Sequence, residues 1–203
     1  MRRGPAVRML NRLRQFTAGF FSKTALGLAR VGLTPNQVTI IGFLFTALGA
    51  TFIIEKALYA GALLIIAGGL FDALDGALAR LKGTLSAFGG VLDSVVDRYS
   101  DGLIIASVWY ALGIPFLVGS LAFVGSLLTS YTRARLEAAG TGSVASIGLL
   151  ERPERLILLV LAILLPALSL YIFIVVALLS NFTVFQRLSY AHKKLGSQSS
   201  GLS

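Results

Sequence analysis

The chain has 203 residues, of which 56% are hydrophobic and 13% are charged, and its formal net charge is +9. This composition is typical of one compact helical membrane domain and leaves no room for a large soluble module. Because the chain contains no cysteine, a disulfide framework and a thiolate metal site are excluded.

The N-terminal segment, residues 1–30, is basic and holds seven Arg or Lys residues. Its apolar stretch is short and interrupted, so we expect no cleavable signal peptide. On a helical wheel, apolar residues such as Leu13 and Phe16 lie opposite Arg8 and Arg12. This pattern predicts an amphipathic helix on an anionic membrane surface. A basic leader that only fixes the topology is the alternative.

Six apolar stretches follow, at about 35–54, 58–81, 86–112, 116–138, 153–166 and 169–186. The break LLPALSL between the last two is weak, but their combined run is too long for one span. We therefore predict an all-α integral membrane protein, with six transmembrane helices and an N-terminal interfacial amphipathic helix. The six-helix domain covers residues 31–194, and residues 195–203 form a polar, disordered tail.

The basic residues predict the orientation of these spans. Of the 18 Lys and Arg residues, 17 fall on the side that holds both termini or in the adjoining helix ends, and Lys56 falls on the other. The positive-inside rule makes the basic side cytoplasmic, in a multi-pass protein of the cell membrane. The charge therefore indicates anionic lipid or phosphate partners, and we expect no nucleic-acid binding because no stacking aromatics accompany the basic residues.

Four aspartates lie within 26 residues where the second and third spans meet. Asp72 and Asp75 are three residues apart, and Asp93 and Asp97 are four apart, so each pair shares a helix face. A short loop between antiparallel helices brings the pairs together, where their repulsion is relieved most simply by divalent cations. All-oxygen ligands suit Mg²⁺ or Mn²⁺, and four carboxylates can hold two metals about 3.5–4 Å apart for displacement at phosphorus.

The neighbouring residues fit a phosphate ligand. Gly76 allows close approach of a substrate, and Arg80 offers paired donors to phosphate. Interhelical salt bridges are the structural alternative, but Arg80, Lys82 and Arg98 are too few to pair the aspartates. Asp101 is interpreted as a supporting partner, with Arg98 as a candidate, in preference to a metal ligand.

These positions form the pattern D-x-x-D-G-x-x-A-R, eight residues, then G-x-x-x-D-x-x-x-D. All eight fixed positions are present: Asp72, Asp75, Gly76, Ala79, Arg80, Gly89, Asp93 and Asp97. The pattern resembles the signature of the CDP-alcohol phosphotransferases, whose six-helix membrane fold agrees with the hydropathy.

The resemblance implies a reaction in which an acceptor hydroxyl attacks the lipid-side β-phosphorus of a CDP-linked lipid and CMP leaves. It implies that Asp72, Asp75 and Asp93 bind metal, and that Asp97 completes the second metal site and acts as general base. Two Mg²⁺ ions per site are expected, with Mn²⁺ as the alternative. A homodimer is also implied.

The start of the first span is a second candidate region. Thr34 is predicted to cap this helix, with Pro35 in its first turn. A plain helix start is one interpretation. The resemblance places the segment beside the cytidine diphosphate, and the residues expected to bind the CDP-lipid are Asn36, Gln37, Val38, Thr39, Gly76, Arg80 and Ser86.

Three helix ends on the catalytic side carry arginine. One interpretation is topology and anionic headgroups; the other is a pocket for a phosphate on the acceptor. The segments SYTRARLEA, LLERPERL and FQRL most resemble the branch of the family that uses inositol 1-phosphate, including its archaeal counterpart with an ether-lipid donor. On that resemblance the phosphate contacts Arg133, Arg155 and Arg187, with Arg135 and Arg152 as further candidates. Arg133 departs from the branch, which commonly has Lys there.

Two alternatives remain. Glycerol 3-phosphate also carries a phosphate, so the arginines alone do not exclude it as the acceptor. A divalent-cation channel or carrier could use the Asp cluster, although it would not need Gly76, Ala79 and Arg80 at fixed spacing. The expected product is otherwise a lipid-linked inositol phosphate.

Overall fold

The computed structural model describes residues 19, 21–144 and 147–199, with side chains as far as residue 195. Residues 21–30 are helical and are named α1. The other helices are α2 (Pro35–Ile54), α3 (Leu58–Lys82), α4 (Ala87–Leu112), α5 (Phe116–Ala138), α6 (Arg152–Leu164) and α7 (Ser169–Ser199). A 3₁₀ turn, Pro166–Leu168, joins α6 to α7.

The prediction of an all-helical protein is confirmed for the part of the chain that the structure describes. The helix bounds follow the apolar stretches closely, but α7 differs at its C-terminal end. It continues to Ser199, into the segment predicted to be a disordered tail. The predicted amphipathic helix at residues 8–20 lies outside the described residues, apart from Gly19.

Among the described residues, three segments are long and apolar enough to cross a membrane: Pro35–Ile54, Leu58–Lys82 and Pro166–Leu195. Large apolar side chains on these segments, such as Leu44, Leu63 and Leu178, are exposed, as lipid-facing residues are. The chain is therefore a membrane protein. Six spans remain a prediction, since α6 has 13 residues and extends only about 20 Å.

The described residues form two compact units. The first contains residues up to Phe45 together with Ile66–Asp97, and the second contains Thr46–Ile65 and the residues from Arg98 onward. The core of the first unit contains the buried side chains of Ala25, Val38, Leu74 and Leu78. The core of the second unit includes Ile65, Ile105, Val108, Leu159, Ile163 and Phe173.

In the first unit, the start of α2 is held by a reciprocal pair of hydrogen bonds. The backbone N–H of Thr34 donates to Gln37 Oε1 at 2.9 Å, and the backbone N–H of Gln37 donates to Thr34 Oγ1 at 3.3 Å. This capping box satisfies two donors at the helix start. The predicted capping role of Thr34 is thereby confirmed, and the orientation of the first turn of α2 is fixed.

In the second unit, α5 and α7 pack closely through polar contacts. Asn181 Nδ2 donates to the carbonyl of Leu121 at 3.0 Å, and Thr129 Oγ1 donates to the carbonyl of Ser180 at 3.1 Å. A Cβ at Gly125 would lie 2.5 Å from Asn181, so glycine permits this approach. The packing fixes the position of α5 against α7, and both helices carry arginines that are described below.

Candidate active site

Three aspartates of the first unit converge on one point. Asp72 and Asp75 lie one turn apart on α3, and Asp93 lies in the first two turns of α4. One carboxylate oxygen of each lies within 4.8 Å of the other two. Asp75 is buried, and Asp72 and Asp93 are half-buried. The i, i+3 spacing and the short loop thus bring these carboxylates together as predicted.

The donor set of this cluster suits a hard divalent cation. Its oxygens are anionic and close enough for one ion to contact all three, and carboxylates are the ligands that Mg²⁺ and Mn²⁺ prefer. Without a cation, three such charges repel one another. Asp97 is half-buried on α4 but does not belong to the group of three, so its predicted metal role remains a prediction.

A threonine from α2 holds one of the carboxylates. Thr39 Oγ1 donates to Asp75 Oδ2 at 2.5 Å, and both side chains are buried. The same hydroxyl lies 3.1 Å from the carbonyl of Pro35. Partners of this kind orient ligating carboxylates and influence metal affinity. Thr39 therefore contributes to the site by fixing the orientation of Asp75.

Thr39→Val is expected to weaken Mn²⁺ binding about 10–100-fold, because valine keeps the shape but removes the hydrogen bond to Asp75. Thr39→Ser keeps the hydroxyl and serves as the matched control. Titration of the purified protein with Mn²⁺, followed by electron paramagnetic resonance, measures the affinity. Equal affinities for the valine and serine variants would contradict this role.

A cavity of about 140 Å³ adjoins the cluster in the first unit. It is lined by Asp75 and Asp93 together with Pro35, Asn36, Thr39, Gly76, Ala79, Thr84, Leu85, Ser86, Gly89 and Gly90. Of the predicted segment at the start of α2, Asn36 and Thr39 line this cavity. Gln37 is occupied in the capping box, and Val38 is buried in the core.

The loop side of this cavity is shaped by Ser86 and Gly89. Ser86 Oγ accepts a hydrogen bond from the Gly89 backbone N–H at 3.0 Å, which caps the start of α4. A Cβ at Gly89 would lie 2.9 Å from Ser86 Oγ and 3.2 Å from Asn36 Oδ1. Because glycine has no Cβ, the backbone at this position can lie beside Ser86 and Asn36 without displacing either side chain.

A second, wider cavity of about 750 Å³ adjoins the same carboxylates. Its lining includes all three aspartates, Gly76 and Arg80, with apolar or small side chains from Phe21, Ser22, Ala73, Ala77 and Leu81. A Cβ at Gly76 would have only an ordinary contact, 3.4 Å, with Arg80 Nη1. Protein packing therefore does not require glycine here, which agrees with the predicted approach of a ligand.

The second unit gathers four of the five predicted arginines around two carboxylates, Glu151 and Asp101. Arg187 is fully buried; its Nη2 donates to Glu151 Oε1, its Nη1 to the carbonyl of Thr129, and its Nε to the carbonyl of Ile147 at 2.9 Å. Arg133 is 41% exposed and lies 3.7 Å from Glu151 Oε2. Glu151 thus links the arginines of α5 and α7.

The other carboxylate is Asp101. Arg155 is fully buried and donates through Nη2 to Asp101 Oδ2, and Arg152 Nε lies 3.5 Å from Asp101 Oδ1. Asp101 therefore contacts two arginines of α6, which its sequence position does not indicate, and its pairing with Arg98 stays a prediction. Arg135 is exposed on α5.

The family model described as CDP-alcohol phosphatidyltransferase matches residues 32–186. This match covers more than half of the chain, including the aspartate cluster, the smaller cavity and every arginine named above except Arg187. The chain belongs to the CDP-alcohol phosphatidyltransferase family. The resemblance drawn from the signature is confirmed.

Relatives in this family include an archaetidylinositol phosphate synthase from Pyrococcus horikoshii. It is 43% identical over 190 residues, which covers 92% of this chain and 98% of the relative. The crystal structure of Mycobacterium tuberculosis phosphatidylinositol phosphate synthase with CDP-DAG bound has a TM-score of 0.74 and 34% identity. That match covers 85% of this chain and 93% of the other.

A second structure of the Mycobacterium tuberculosis enzyme contains manganese and citrate. Its TM-score is also 0.74, at 34% identity, and the match covers 83% of this chain and 87% of the other. The CDP-alcohol phosphatidyltransferase fold therefore has a member with a divalent metal. The oxygen ligands of Asp72, Asp75 and Asp93 fit the same kind of ion.

Sequence reasoning missed some residues of this family site. Thr84 and Leu85 line the smaller cavity, and Phe21 and Ser22 line the larger one. No spacing rule pointed to them, because they lie in a loop and in α1. The sequence does contain a signal for Glu151, because this residue directly precedes Arg152 in a segment that stands out by its arginines.

Proposed function

We propose that the chain transfers the archaetidyl or phosphatidyl group of a CDP-linked lipid to inositol 1-phosphate. The reaction releases CMP and gives a lipid-linked inositol phosphate. The observation that carries this proposal is the group formed by Asp72, Asp75 and Asp93 where two cavities meet. The relatives, which are named as inositol phosphate lipid synthases, support the choice of acceptor.

The donor is assigned to the first unit. Two Mg²⁺ ions, with Mn²⁺ as the alternative, are assigned to Asp72, Asp75, Asp93 and Asp97. When bound, such ions neutralise the diphosphate and stabilise the charge that develops at phosphorus. Asn36, Thr39 and Ser86 are assigned to the cytidine diphosphate end. Gly76 and Arg80 are assigned to the diphosphate, with Gly76 giving room and Arg80 donating to its oxygens.

The chemical step is a displacement at phosphorus. The acceptor hydroxyl oxygen forms a bond to the lipid-side β-phosphorus, and the bond from that phosphorus to the CMP oxygen breaks. Asp97 accepts the hydroxyl proton, and CMP leaves with the bonding electron pair. A general base must lie within hydrogen-bond reach of the proton that it accepts, and a metal-bound carboxylate is suited to this position.

The acceptor phosphate is assigned to the arginines of the second unit. Arg155 and Arg133 are the principal ligands, with Arg152 and Arg135 as further candidates. Arg187 is assigned to the same site. Because each of its three nitrogens already has an acceptor, its contribution is the charge and the position of Glu151. Arginine suits this task because its fixed fork of donors matches phosphate oxygens.

An acceptor assay tests the function. Purified protein in lipid vesicles is supplied with Mg²⁺ and either CDP-archaeol or CDP-diacylglycerol, and then with inositol 1-phosphate or glycerol 3-phosphate. CMP release and the mass of the lipid product identify the reaction. Consumption of glycerol 3-phosphate but not of inositol 1-phosphate would overturn the acceptor. Divalent-cation flux without CMP release would favour the transporter alternative.

The topology is proposed as six spans in residues 31–194, with both termini and the active site on the cytoplasmic side of the cell membrane. A homodimer is also proposed. Because the chain has no cysteine, single cysteines report sidedness without background. In intact cells, Glu55→Cys and Leu165→Cys are expected to react with an impermeant maleimide, and Lys193→Cys only after permeabilisation. Protection of Leu165→Cys would contradict separate fifth and sixth spans.

A further inference from the structure

Asp101 is a buried carboxylate that does not belong to the signature of the family. Its side chain, 5% exposed, lies on α4 and contacts the guanidinium groups of Arg155 and Arg152 on α6. Among the described residues, it is not part of the group of aspartates that could hold a cation. Its role therefore has to be found in the arginines that it contacts.

The two fully buried arginines of the second unit differ in how their donors are used. Every nitrogen of the Arg187 guanidinium has a protein acceptor. Arg155 donates through Nη2 to Asp101, but its Nε and Nη1 are buried without an acceptor among the residues that the structure describes. Nε and Nη1 carry three of the five guanidinium N–H groups.

Buried donors of a charged group are costly to leave without partners, so such groups normally have an acceptor. The remaining donors of Arg155 are thus suited to an anion, and phosphate is the anion that arginine binds with several charge-assisted bonds. The carboxylate of Asp101 also reduces the repulsion between Arg155 and Arg152, since it contacts both. Removing it would leave two close cations without that compensation.

We infer that Asp101 is a positioning residue for acceptor binding: it holds Arg155 by Nη2 and leaves Nε and Nη1 for the phosphate of the acceptor. This inference rests on the proposed function, because it assigns a task to a residue that supports the acceptor site. Asp101 itself does not contact the substrate. Its effect is transmitted through the position of the Arg155 guanidinium.

Asp101→Asn tests the inference with little change in shape, since asparagine keeps an acceptor oxygen but loses the charge. In vesicles with saturating CDP-lipid, we expect the KM for the phosphorylated acceptor to rise about tenfold, the size of one charge-assisted hydrogen bond. The inhibition constant of inorganic phosphate is expected to rise by the same factor. The KM for CDP-lipid and the Mn²⁺ affinity are expected to stay unchanged.

Glu154→Gln is the matched control, because it removes an exposed carboxylate from the first turn of the same helix α6. It is expected to leave the KM for the phosphorylated acceptor and the inhibition constant of inorganic phosphate unchanged. If Asp101 had only a structural role, Asp101→Asn would instead lower the melting temperature of the protein and raise the KM for both substrates alike. That result would overturn the inference. Unchanged acceptor KM and phosphate inhibition would overturn it as well.

The outcome separates the inference from the proposed function. If the unmodified protein uses glycerol 3-phosphate in place of inositol 1-phosphate, the proposed acceptor is wrong. The Asp101→Asn effect is then measured on glycerol 3-phosphate, which presents the same phosphate chemistry to Arg155. If the proposed acceptor is used but Asp101→Asn leaves its KM unchanged, the function stands and the inference fails.

Discussion

Asp93→Asn is expected to abolish measurable Mn²⁺ binding and to lower CMP release by at least about 10³-fold. Asp93 is the member of the cluster that α4 contributes, and its carboxylate oxygen lies within 4.8 Å of those of Asp72 and Asp75. Metal stabilisation of a phosphoryl transition state amounts to several kcal/mol, and each 1.36 kcal/mol is a factor of about ten in rate. Metal titration and CMP release, measured on the same sample, check both parts.

Asp97→Asn provides the comparison, because it changes a carboxylate one turn further along the same helix. Asp97 lies outside the group of three, so the variant is expected to keep Mn²⁺ bound to that group. Loss of a general base is expected to lower turnover about 10²–10⁴-fold. Retained turnover would contradict the assignment of Asp97 as the base. An unchanged melting temperature in both variants would show that the fold is preserved.

Arg155→Ala is expected to raise the KM for inositol 1-phosphate about 10–100-fold and to leave the KM for the CDP-lipid unchanged. The guanidinium is fully buried and keeps two nitrogens without acceptors among the described residues. A hydrogen bond to a charged group contributes about 1.5–3 kcal/mol, and each 1.4 kcal/mol corresponds to a tenfold change in affinity. Initial rates over a range of acceptor concentrations measure the effect.

Arg135→Ala is the comparison for this measurement and tests the further candidate Arg135. Arg135 is also an arginine at the end of a helix, but its side chain is exposed, so its contribution is screened by solvent. We expect this substitution to change the KM for the acceptor by less than about threefold, in line with the small energies of exposed charges. Equal effects of the two substitutions would indicate a general attraction of anions and would argue against a defined phosphate site at Arg155.

Much of the aspartate cluster could be predicted because its members are close in sequence. Asp72 and Asp75 share a helix face through their spacing, and the short loop returns the chain to Asp93. The apolar stretches also predicted the helix bounds, since spans must be long and continuous. The exception at α7, which continues to Ser199, shows that a polar composition alone does not end a helix.

The partners of these residues could not be predicted in the same way. Thr39 is 36 residues from Asp75, and Glu151 is 36 residues from Arg187. Sequence spacing carries no information about which side chains meet over such separations, because helix packing decides it. For the same reason, the capping box of Gln37 and the burial of Val38 became clear only in the folded chain.

The sequence by itself determined the class of protein and the aspartate cluster, because hydropathy and local helical spacing control both, and the resemblance of its signature indicated the family. Only the tertiary structure decided that Thr39 orients Asp75, and that Asp101 and Glu151 organise the arginines. It also distinguished Arg187, whose nitrogens all have acceptors within the protein, from Arg155, whose Nε and Nη1 are buried without an acceptor among the described residues. That difference depends on burial and hydrogen-bond partners, which arise when distant segments pack together.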